Sequence, residues 1–368
     1  MKTVCQTNQC TGCMACVDIC PKGCISIADS LDAYNAVIDP QLCVDCGACT
    51  KVCQQNTPAV LHEPIGWYEG WAADPCVRSA GSSGGIAGAL SLAFVNDGGA
   101  VCSCVFEEGE FCFRIARTSE EVAAFSGSKY IKSNPKGIYS QVKTLLKQDV
   151  PVLFIGLPCQ CAAVKLFVGE KLQEGLHTAD LICHGSPSPA ILDAFLKKYG
   201  TTRQQLINPS FRKKSAYRFA DNGRPYAPAG TRDRYLISFL NMLTFTENCH
   251  DCPYARRQRV SDLSLGDSWG SVLSQEEVQK GISLILCQTE KGRKLLDRAD
   301  LVLQEADPEA AVASNHQLHH PSPRIAGRED FFRKLKDGAP FHKLVQKAFP
   351  KQCFRQQVKG LLFRLLGK

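Results

Sequence analysis

Apolar residues occur along the chain in short runs whose spacing predicts alternating strands and helices. A continuous apolar run that ends at a glycine, as in 152–156, is typical of a strand buried on both faces. Runs of this kind predict the strands 99–106, 111–117, 152–156, 176–183 and 281–287. Helical spacing predicts the helices 86–94, 188–200, 235–245 and 291–299. Strands that alternate with helices indicate an α/β fold for this part of the chain.

The two ends of the chain follow other patterns. The stretches 24–27 and 34–38 alternate in polarity and predict a two-stranded ribbon. Residues 58–75 contain three prolines, two glycines and two tryptophans, and we interpret them as a linker. From about residue 324 the chain predicts basic helices.

The last predicted helix, 353–366, is amphipathic. Its apolar residues, near one face, are Phe354, Val358, Leu361, Leu362, Leu365 and Leu366. Its basic residues, more to the other face, are Arg355, Lys359 and Arg364. Such a helix can lie on a membrane surface, or pack against the body of the protein or a partner, and packing is the favoured interpretation.

Two cysteine runs near the N-terminus carry the clearest chemistry. Both read C-x2-C-x2-C-x3-C, and the second begins 33 residues after the first, which indicates an internal duplication. The spacing matches the bacterial two-cluster ferredoxin run, in which the fourth cysteine of each run ligates the other cluster. We therefore expect one [4Fe-4S] cluster on Cys10, Cys13, Cys16 and Cys53, and the other on Cys20, Cys43, Cys46 and Cys49. Zinc or disulfides are the alternative, which the two identical frames disfavour.

Four further cysteines lie at positions that suit a site. Cys159 and Cys183 follow predicted strands, where α/β sites are built, and Cys249 and Cys252 form a C-x2-C pair. Together they could form a third [4Fe-4S] site or a zinc site. The alternative is that the first two are small core residues and the last two a loose pair. We interpret the cysteines outside these sets as buried, spare or incidental.

Several histidines accompany these cysteines. His184 and His250 could shuttle protons, although hydrogen bonding beside the cysteines is the commoner role. The triplet His316, His319 and His320 lies in a proline-rich stretch that predicts an exposed loop rather than a metal site.

The stretch 79–85 combines serines and glycines directly before a predicted helix. Such a loop allows close backbone approach, and the helix N-terminus attracts phosphate. It lacks both the Walker sequence and the Gly-x-Gly-x-x-Gly order, so ATP and ordinary Rossmann sites are not indicated. A plain tight turn is the alternative. The stretch 126–130 is a second phosphate-compatible turn, or a surface loop.

Composition and charge narrow the class of protein. The chain has 368 residues, 21 cysteines and a net charge of +7, without an apolar run of the length that crosses a membrane. The cysteine frame begins close to Met1, without a signal sequence, so we expect a reducing cytoplasm. Oxygen-sensitive clusters would favour an anaerobe. Charge is uneven, net −3 over residues 1–65 and +9 over 324–368, and we expect no nucleic-acid partner.

Six stretches together resemble the coenzyme F420 hydrogenase/dehydrogenase beta-subunit family. They are Ser82-Ser83-Gly84-Gly85, Gly127-Ser128-Lys129-Tyr130, Gly156-Leu157-Pro158-Cys159-Gln160, Asp180-Leu181-Ile182-Cys183-His184-Gly185, Cys249-x2-Cys252-Pro253 and Ser264-Leu265-Gly266-Asp267. The resemblance extends to about residue 300. It implies FAD beside a [4Fe-4S] cluster, and it favours Cys159, Cys183, Cys249 and Cys252 as ligands of that cluster. It places Ser82, Ser83, Gly84, Gly85, Ser128, Lys129 and Asp267 around the flavin.

The expected architecture is α+β followed by α/β. Its parts are a 2[4Fe-4S] ferredoxin-like domain (1–57), a linker (58–75), an FAD- and iron–sulfur-binding α/β oxidoreductase domain (76–310) and a basic helical tail (311–368).

The resemblance implies an oxidoreductase. Electrons from a ferredoxin or another redox protein would pass through the clusters to FAD, and then as hydride to a small conjugated substrate, coenzyme F420 or another metabolite. The first alternative is an electron-transfer beta subunit of a larger hydrogenase or dehydrogenase complex, without substrate chemistry of its own. The second is a non-catalytic protein whose clusters are structural or redox-sensing. The sequence singles out no catalytic residue.

Overall fold

The protein is described here by a computed structural model, which covers residues 2–365 apart from the side chain of Arg364. Leu366, which the sequence places on the apolar face of the last helix, lies outside the described residues.

The strands are β1 (Lys2–Thr3), β2 (Ile25–Asp29), β3 (Tyr34–Ile38), β4 (Gly66–Ala72), β5 (Ala100–Glu107), β6 (Glu110–Ala116), β7 (Val152–Gly156), β8 (Leu176–Leu181), β9 (Pro209–Lys213), β10 (Ala216–Asp221), β11 (Arg224–Pro225), β12 (Leu263–Asp267), β13 (Ser283–Cys287) and β14 (Leu301–Glu305). The helices are α1 (Ala15–Ile19), α2 (Ala48–Lys51), α3 (Pro75–Ala80), α4 (Ile86–Asn96), α5 (Ser119–Val122), α6 (Ile138–Lys147), α7 (Pro158–Val168), α8 (Pro189–Leu196), α9 (Arg234–Leu240), α10 (Gln275–Lys280), α11 (Glu290–Arg298), α12 (Pro308–Ser314), α13 (Arg328–Lys336), α14 (Phe341–Ala348) and α15 (Pro350–Leu365).

The N-terminal module is a small three-stranded sheet with two short helices. Its strand order is β1-β3-β2, and all pairs are antiparallel. The hairpin of β2 and β3 is the predicted ribbon, with Ile25 opposite Ile38. Each helix begins inside one cysteine frame, α1 at Ala15 and α2 at Ala48. The architecture is ferredoxin-like, as the two frames predict.

The body is built on one eight-stranded mixed sheet of order β14-β4-β13-β12-β8-β7-β5-β6. Strands β12, β8, β7 and β5 are parallel neighbours, and the outer pairs on both sides are antiparallel. The interpretation of 58–75 as a linker is wrong for its second half. Residues 66–72 form β4, which pairs with β13 on one side and β14 on the other, because their aromatic and small residues fit the pleated surface.

Helices cover both faces of this sheet. All residues of β7 are buried, and successive ones contribute to different cores because a strand alternates its faces. Val152 and Phe154 pack with α6 and α7, whereas Leu153 and Ile155 pack with α4 and α11. The α/β expectation is therefore met by a helix–sheet–helix arrangement with antiparallel edges.

Two predicted helices end earlier than expected. After Leu196 the chain tightens into a 3-10 turn and leaves the helix at Gly200, whose φ is 65°. After Leu240 the chain turns at Met242, whose φ is 61°. Left-handed residues end a right-handed helix, and apolar spacing alone does not reveal where they occur.

The C-terminal segment is not a detached tail. Helices α13 and α14 join an aromatic core with α8, α9, β9 and β10, in which Phe341, Val345 and Cys353 are buried. On α15 the side chains of Leu361 and Leu365 are exposed by 59% and 83%. The segment predicted as a tail thus packs against the body well beyond Cys353, since Gln356 accepts from the Arg232 N–H and Gly360 lies against Pro228. Within the described range 2–365, no helix is long and apolar enough to cross a bilayer.

Candidate iron–sulfur sites

The two cysteine frames adopt the same backbone. In the first frame Gly12 and Met14 have φ angles of 74° and 61°, and the corresponding Asp45 and Gly47 have φ angles of 51° and 71°. These left-handed residues curl the chain between cysteines, so each frame forms a loop followed by a short helix. At Gly12 a side chain would also meet the ring of Tyr34, 2.8 Å away. The duplicated spacing therefore corresponds to duplicated geometry.

The structure brings together the first four cysteines assigned to one cluster. Charge interactions connect the thiols of Cys10, Cys13, Cys16 and Cys53, which we call the inner site. The buried thiol of Cys5 packs in one core with Cys10 and Cys53, and its proximity lowers the pKa of both of these thiols. Burial raises the pKa of Cys13 to about 12. Cys5 is thus part of this site's surroundings and is not incidental.

The second set also lies together, but closer to the surface. One concavity is lined by Cys20, Cys43, Cys46 and Cys49, which we call the outer site. Cys46 is exposed, and the nearby Leu42 and Val44 are exposed by 55% and 57%. The Sγ atom of Cys24 lies 3.3 Å from that of Cys20, so this cysteine too borders a site.

The remaining four predicted ligands line one cavity, although they come from three parts of the chain. We call the set of Cys159, Cys183, Cys249 and Cys252 the third site. Cys159 lies in the first turn of α7, directly after β7, and Cys183 follows the parallel neighbour β8. Carboxyl ends of parallel strands meet at one edge, which is where α/β proteins build sites. The C-x2-C pair reaches the same edge from the loop after α9.

The cysteines of the third site are less exposed than Cys46 of the outer site, because Cys249 is buried and the other three are half-buried. Burial raises the pKa of Cys183 to about 12 and that of Cys252 to about 11. No three His, Cys, Asp or Glu side chains in residues 2–365 are arranged to hold a metal ion. A single zinc ion would need its sulfurs about 2.3 Å from one point, whereas a cubane cluster separates its four ligands around its corners. Four thiols on the walls of a cavity fit the donor set of a [4Fe-4S] cluster.

The inner and third sites share a wall. Thr11, from the first cysteine frame, and Lys132 both line the third cavity. The Tyr139 hydroxyl donates to the Cys13 carbonyl over 2.7 Å, and the Tyr254 hydroxyl donates to Gln54 Oε1 over 2.6 Å. The thiols of Cys13 and Cys159 interact electrostatically. The ferredoxin-like module is therefore docked with its inner site against the third cavity.

A buried ion pair organises the far wall of the third site. Arg259, 1% exposed, donates to Asp180 Oδ1 over 2.5 Å and to the Tyr254 carbonyl over 2.6 Å. Its Nη2 atom also donates to the Leu181 carbonyl over 3.1 Å. One guanidinium thus ties the end of β8, which precedes Cys183, to the loop that follows Cys252.

Of the residues predicted around a flavin, Ser83 and Gly84 hold the loop before α4 onto the sheet. The Gly84 N–H donates to Ser283 Oγ over 3.0 Å, and Ser83 Oγ donates to the Ile282 carbonyl over 2.6 Å. A side chain at Gly84 would meet the Gly70 carbonyl at 2.4 Å, and one at Gly85 would meet the Val77 carbonyl at 2.7 Å. The glycines are thus required by packing within the protein.

The other flavin candidates are also engaged. The Ser128 N–H donates to Ser82 Oγ over 2.8 Å, which brings the two predicted loops together. Lys129 Nζ donates to two carbonyls of its own turn, and burial lowers its pKa. Asp267 forms a two-pronged ion pair with Arg212, at 2.6 and 2.8 Å. The two loops meet, and their polar groups bond within the chain.

The histidines have mixed surroundings. His184 lines the third cavity, although it is exposed to solvent. His250 Nδ1 lies 2.9 Å from the Ser322 carbonyl, which is a hydrogen-bonding role. The His316 ring lies 5.6 Å from His184 and 5.1 Å from the exposed His320, so the predicted loop packs beside the third site.

Sequence reasoning missed Lys132, Arg259 and Tyr254. Each is a common residue type outside any recognisable frame, and its position between sites exists only after the module has docked. Tyr254 and Arg259 follow closely after the C-x2-C pair, and this nearness was the one available signal.

Eight cysteines in two matching loops, beside an α/β body, define an iron–sulfur protein of the electron-transfer class. Residues 9–57 match the family model for a 4Fe-4S dicluster domain. Residues 67–136 and 150–310 match the models for the N-terminal part and the C terminus of the coenzyme F420 hydrogenase/dehydrogenase beta subunit. The chain belongs to this family, which is part of an oxidoreductase complex. The predicted resemblance is confirmed.

Individual proteins are also similar to this chain. One subunit of the F420H2 dehydrogenase of Methanosarcina mazei is 22% identical over 298 residues, which are 75% of this chain and 81% of that protein. A 7Fe ferredoxin of Hydrogenibacillus schlegelii is 45% identical over 49 residues, 13% of this chain and 55% of that one. A chain of the F420-reducing [NiFe] hydrogenase complex from Methanosarcina barkeri is 17% identical, with a TM-score of 0.48, over 79% of this chain and 93% of that one.

Proposed function

We propose that this chain is the iron–sulfur electron-transfer subunit of a complex that oxidises or reduces coenzyme F420. Bound [4Fe-4S] clusters at the outer, inner and third sites would relay single electrons. This is the alternative weighed in the sequence analysis, and the family match favours it over an enzyme that acts alone. Its expected location is the cytoplasm.

The observation that carries the proposal is the third cavity. It collects cysteines from three separate chain segments, together with Thr11 of the first cysteine frame, in one cavity. A structural zinc site would not need the ferredoxin-like module beside it. Adjacent four-thiol sites are what electron relay requires, because transfer between clusters demands that they lie close together.

The outer site is the proposed entry or exit point for electrons. Its Cys46 is exposed, and the loop carries the exposed side chains of Leu42 and Val44. Apolar groups around a partly open redox site suit a transient redox partner, since such encounters use small contact areas. A ferredoxin or another redox subunit is the expected partner.

The test uses the anaerobically purified, cluster-loaded chain with reduced ferredoxin and F420. Fast reduction of the clusters without turnover of F420 is expected of a relay subunit, whereas sustained F420 reduction by the isolated chain would overturn that assignment. Cys46→Ala should slow cluster reduction by ferredoxin more than tenfold but leave reduction by dithionite intact. Cys76→Ala, another exposed cysteine, is the matched control and should change neither rate.

FAD is the second candidate, and one observation favours it. Ser82 and Ser128 join the two loops that the resemblance places around a flavin. Lys132, which lines the third cavity, follows Ser128 by four positions, so the loops lie within about 14 Å of that wall. A flavin at this place would accept single electrons from the clusters. It would then deliver two electrons together, as a hydride, to the small conjugated substrate.

Flavin content separates the two candidates. Protein denatured after anaerobic purification should release about one FAD per chain if the second candidate holds, and Ser82→Ala should lower this occupancy because it removes the acceptor of the Ser128 N–H. Thr118→Ala, a helix cap elsewhere, is a control that should keep it. Wild-type protein with full iron content and no flavin would refute the FAD proposal while leaving the relay proposal intact.

A further inference from the structure

Lys132 is a buried cation in the wall shared by the inner and third sites. Its side chain is 5% exposed, and its Nζ donates to the Thr11 carbonyl over 2.9 Å. Asn248 Oδ1 lies 3.5 Å from the same atom. The Lys132 N–H donates to the Pro187 carbonyl over 2.9 Å, which anchors the main chain as well.

The contacts of this ammonium are neutral. Its other neighbour is the ring of Tyr34, whose centroid is 5.4 Å away. Among residues 2–365 no Asp or Glu oxygen lies within 4.0 Å of Lys132 Nζ, the distance that defines an ion pair. Burying a charge without a countercharge is costly, so a buried lysine in this position calls for an anionic neighbour.

The cysteines of the two sites supply that countercharge. Lys132 lines the third cavity together with Cys159 and Cys183. Its Nζ donates to the carbonyl of Thr11, the residue that directly follows Cys10 of the inner site. The amino group thus lies in the wall between the two sets of thiols. Four thiolates around a [4Fe-4S] core leave each loaded site anionic, and each added electron makes it more so.

We propose that Lys132 is a positioning residue of the relay, a shared cation that raises the reduction potentials of the inner and third clusters together. The inference rests on the proposed function. A positive charge favours the reduced, more negative state of each neighbouring cluster, and low local polarity strengthens the effect. The outer cluster does not share this wall, so its potential should not depend on Lys132.

The experiment is an EPR-monitored redox titration of the loaded chain and of Lys132→Met, which keeps the length and apolar stem but removes the charge. The inner and third midpoint potentials should fall, each by about 59 mV or more, equal to a tenfold weaker preference for the reduced form. The outer potential should stay at its wild-type value. Spectra of Cys183→Ala and Cys46→Ala assign the signals.

The matched control is Lys143→Met. Lys143 also donates to a carbonyl, that of Phe167 over 3.0 Å, and lies 5.4 Å from that residue's ring centroid, but it is on the outer part of α6. This variant should leave all three potentials unchanged. Lys132→Arg, which keeps the charge, should restore most of the shift seen in Lys132→Met.

Iron content is read first, so that failures can be told apart. Wild-type protein with about eight irons would remove the proposed third cluster and with it the proposed function. With about twelve irons, unchanged potentials in Lys132→Met would overturn this inference alone. If Lys132→Met loses a cluster, the redox titration compares Lys132→Gln with Lys132→Arg instead. Equal midpoint potentials in those two variants would likewise overturn the inference about Lys132.

Discussion

The outer and third sites use the same four-thiol chemistry in opposite settings. Three of the outer cysteines come from one short stretch, 43–49, and the site opens to solvent at Cys46. The third site draws its cysteines from two strand ends and a distant pair, and a buried ion pair of Arg259 and Asp180 supports it. One site is thus specified locally, and the other exists only when the whole α/β body has folded.

This difference separates two roles. The outer site is formed by a local loop, which keeps its geometry without support from the α/β body. It can therefore lie at the surface and contact different partners. An assembled site is held by the sheet and by buried charges, so its position relative to the inner site is fixed. In the proposed relay, the outer site is therefore the end that meets a partner, and the third site is the end held inside the α/β body. Four changes would break or sharpen the comparison.

The largest effect is expected from Cys183→Ala. Removing one thiol of the third site should cost about four irons per chain and leave the two clusters of the ferredoxin-like module, because they share no ligand with this cavity. Iron and sulfide analysis measures this. Cys161→Ala, a buried cysteine of α7 whose Sγ faces the Ala179 carbonyl, should keep full iron content. Equal iron in both variants would contradict the assignment of Cys183.

The next effect concerns the support of the third site. Arg259→Met leaves the Asp180 carboxylate buried without its partner, so the free energy of unfolding should fall by about 3 to 5 kcal/mol. Anaerobic denaturant unfolding measures this. Arg257→Met removes an exposed pair with Glu309 and should cost about 1 kcal/mol or less. Similar losses in both variants would show that burial of the pair is not decisive.

Acid should destabilise the α/β body through His177. Burial beside Phe94 lowers the pKa of His177 to about 4, against 6.5 for an ordinary histidine. As the pH falls from about 6.5 to 4, the unfolded chain gains a proton that the folded one excludes, so stability falls in that window. His177→Gln should reduce this loss. The exposed His319→Gln should not, and an unchanged pH profile in the His177 variant would refute the prediction.

The smallest effect concerns docking of the module. Tyr254→Phe removes the hydrogen bond to Gln54 and should lower stability by about 1 kcal/mol, since one buried acceptor loses its donor. The same denaturant unfolding measures it. Tyr199→Phe removes a longer, exposed contact of 3.3 Å to the Tyr226 carbonyl and should be close to neutral. A larger loss in the Tyr199 variant would contradict the docking role of Tyr254.

The sequence predicted the local features well. The ribbon, the buried strand at 152–156 and the two cysteine frames depend on spacing within a few residues, so periodicity reveals them. Prediction from the sequence failed where segments that are distant along the chain meet. The linker prediction missed β4, because pairing with β13 and β14 depends on residues more than 200 positions away.

The candidate sites show the same division. The predicted strand ends indicated that Cys159 and Cys183 lie close together. No sequence motif around Lys132 indicated that it lies at a site. Gly84 was predicted to face a ligand, whereas it packs against the Gly70 carbonyl, since a glycine looks alike in sequence whether it approaches a cofactor or its own chain.

The most direct test of the account is the iron and acid-labile sulfide content of the anaerobically purified chain, measured beside Cys183→Ala. The account predicts about twelve irons for the wild type and about eight for the variant. About eight irons in both would mean that Cys159, Cys183, Cys249 and Cys252 hold no cluster, and the end of the relay inside the α/β body would not exist.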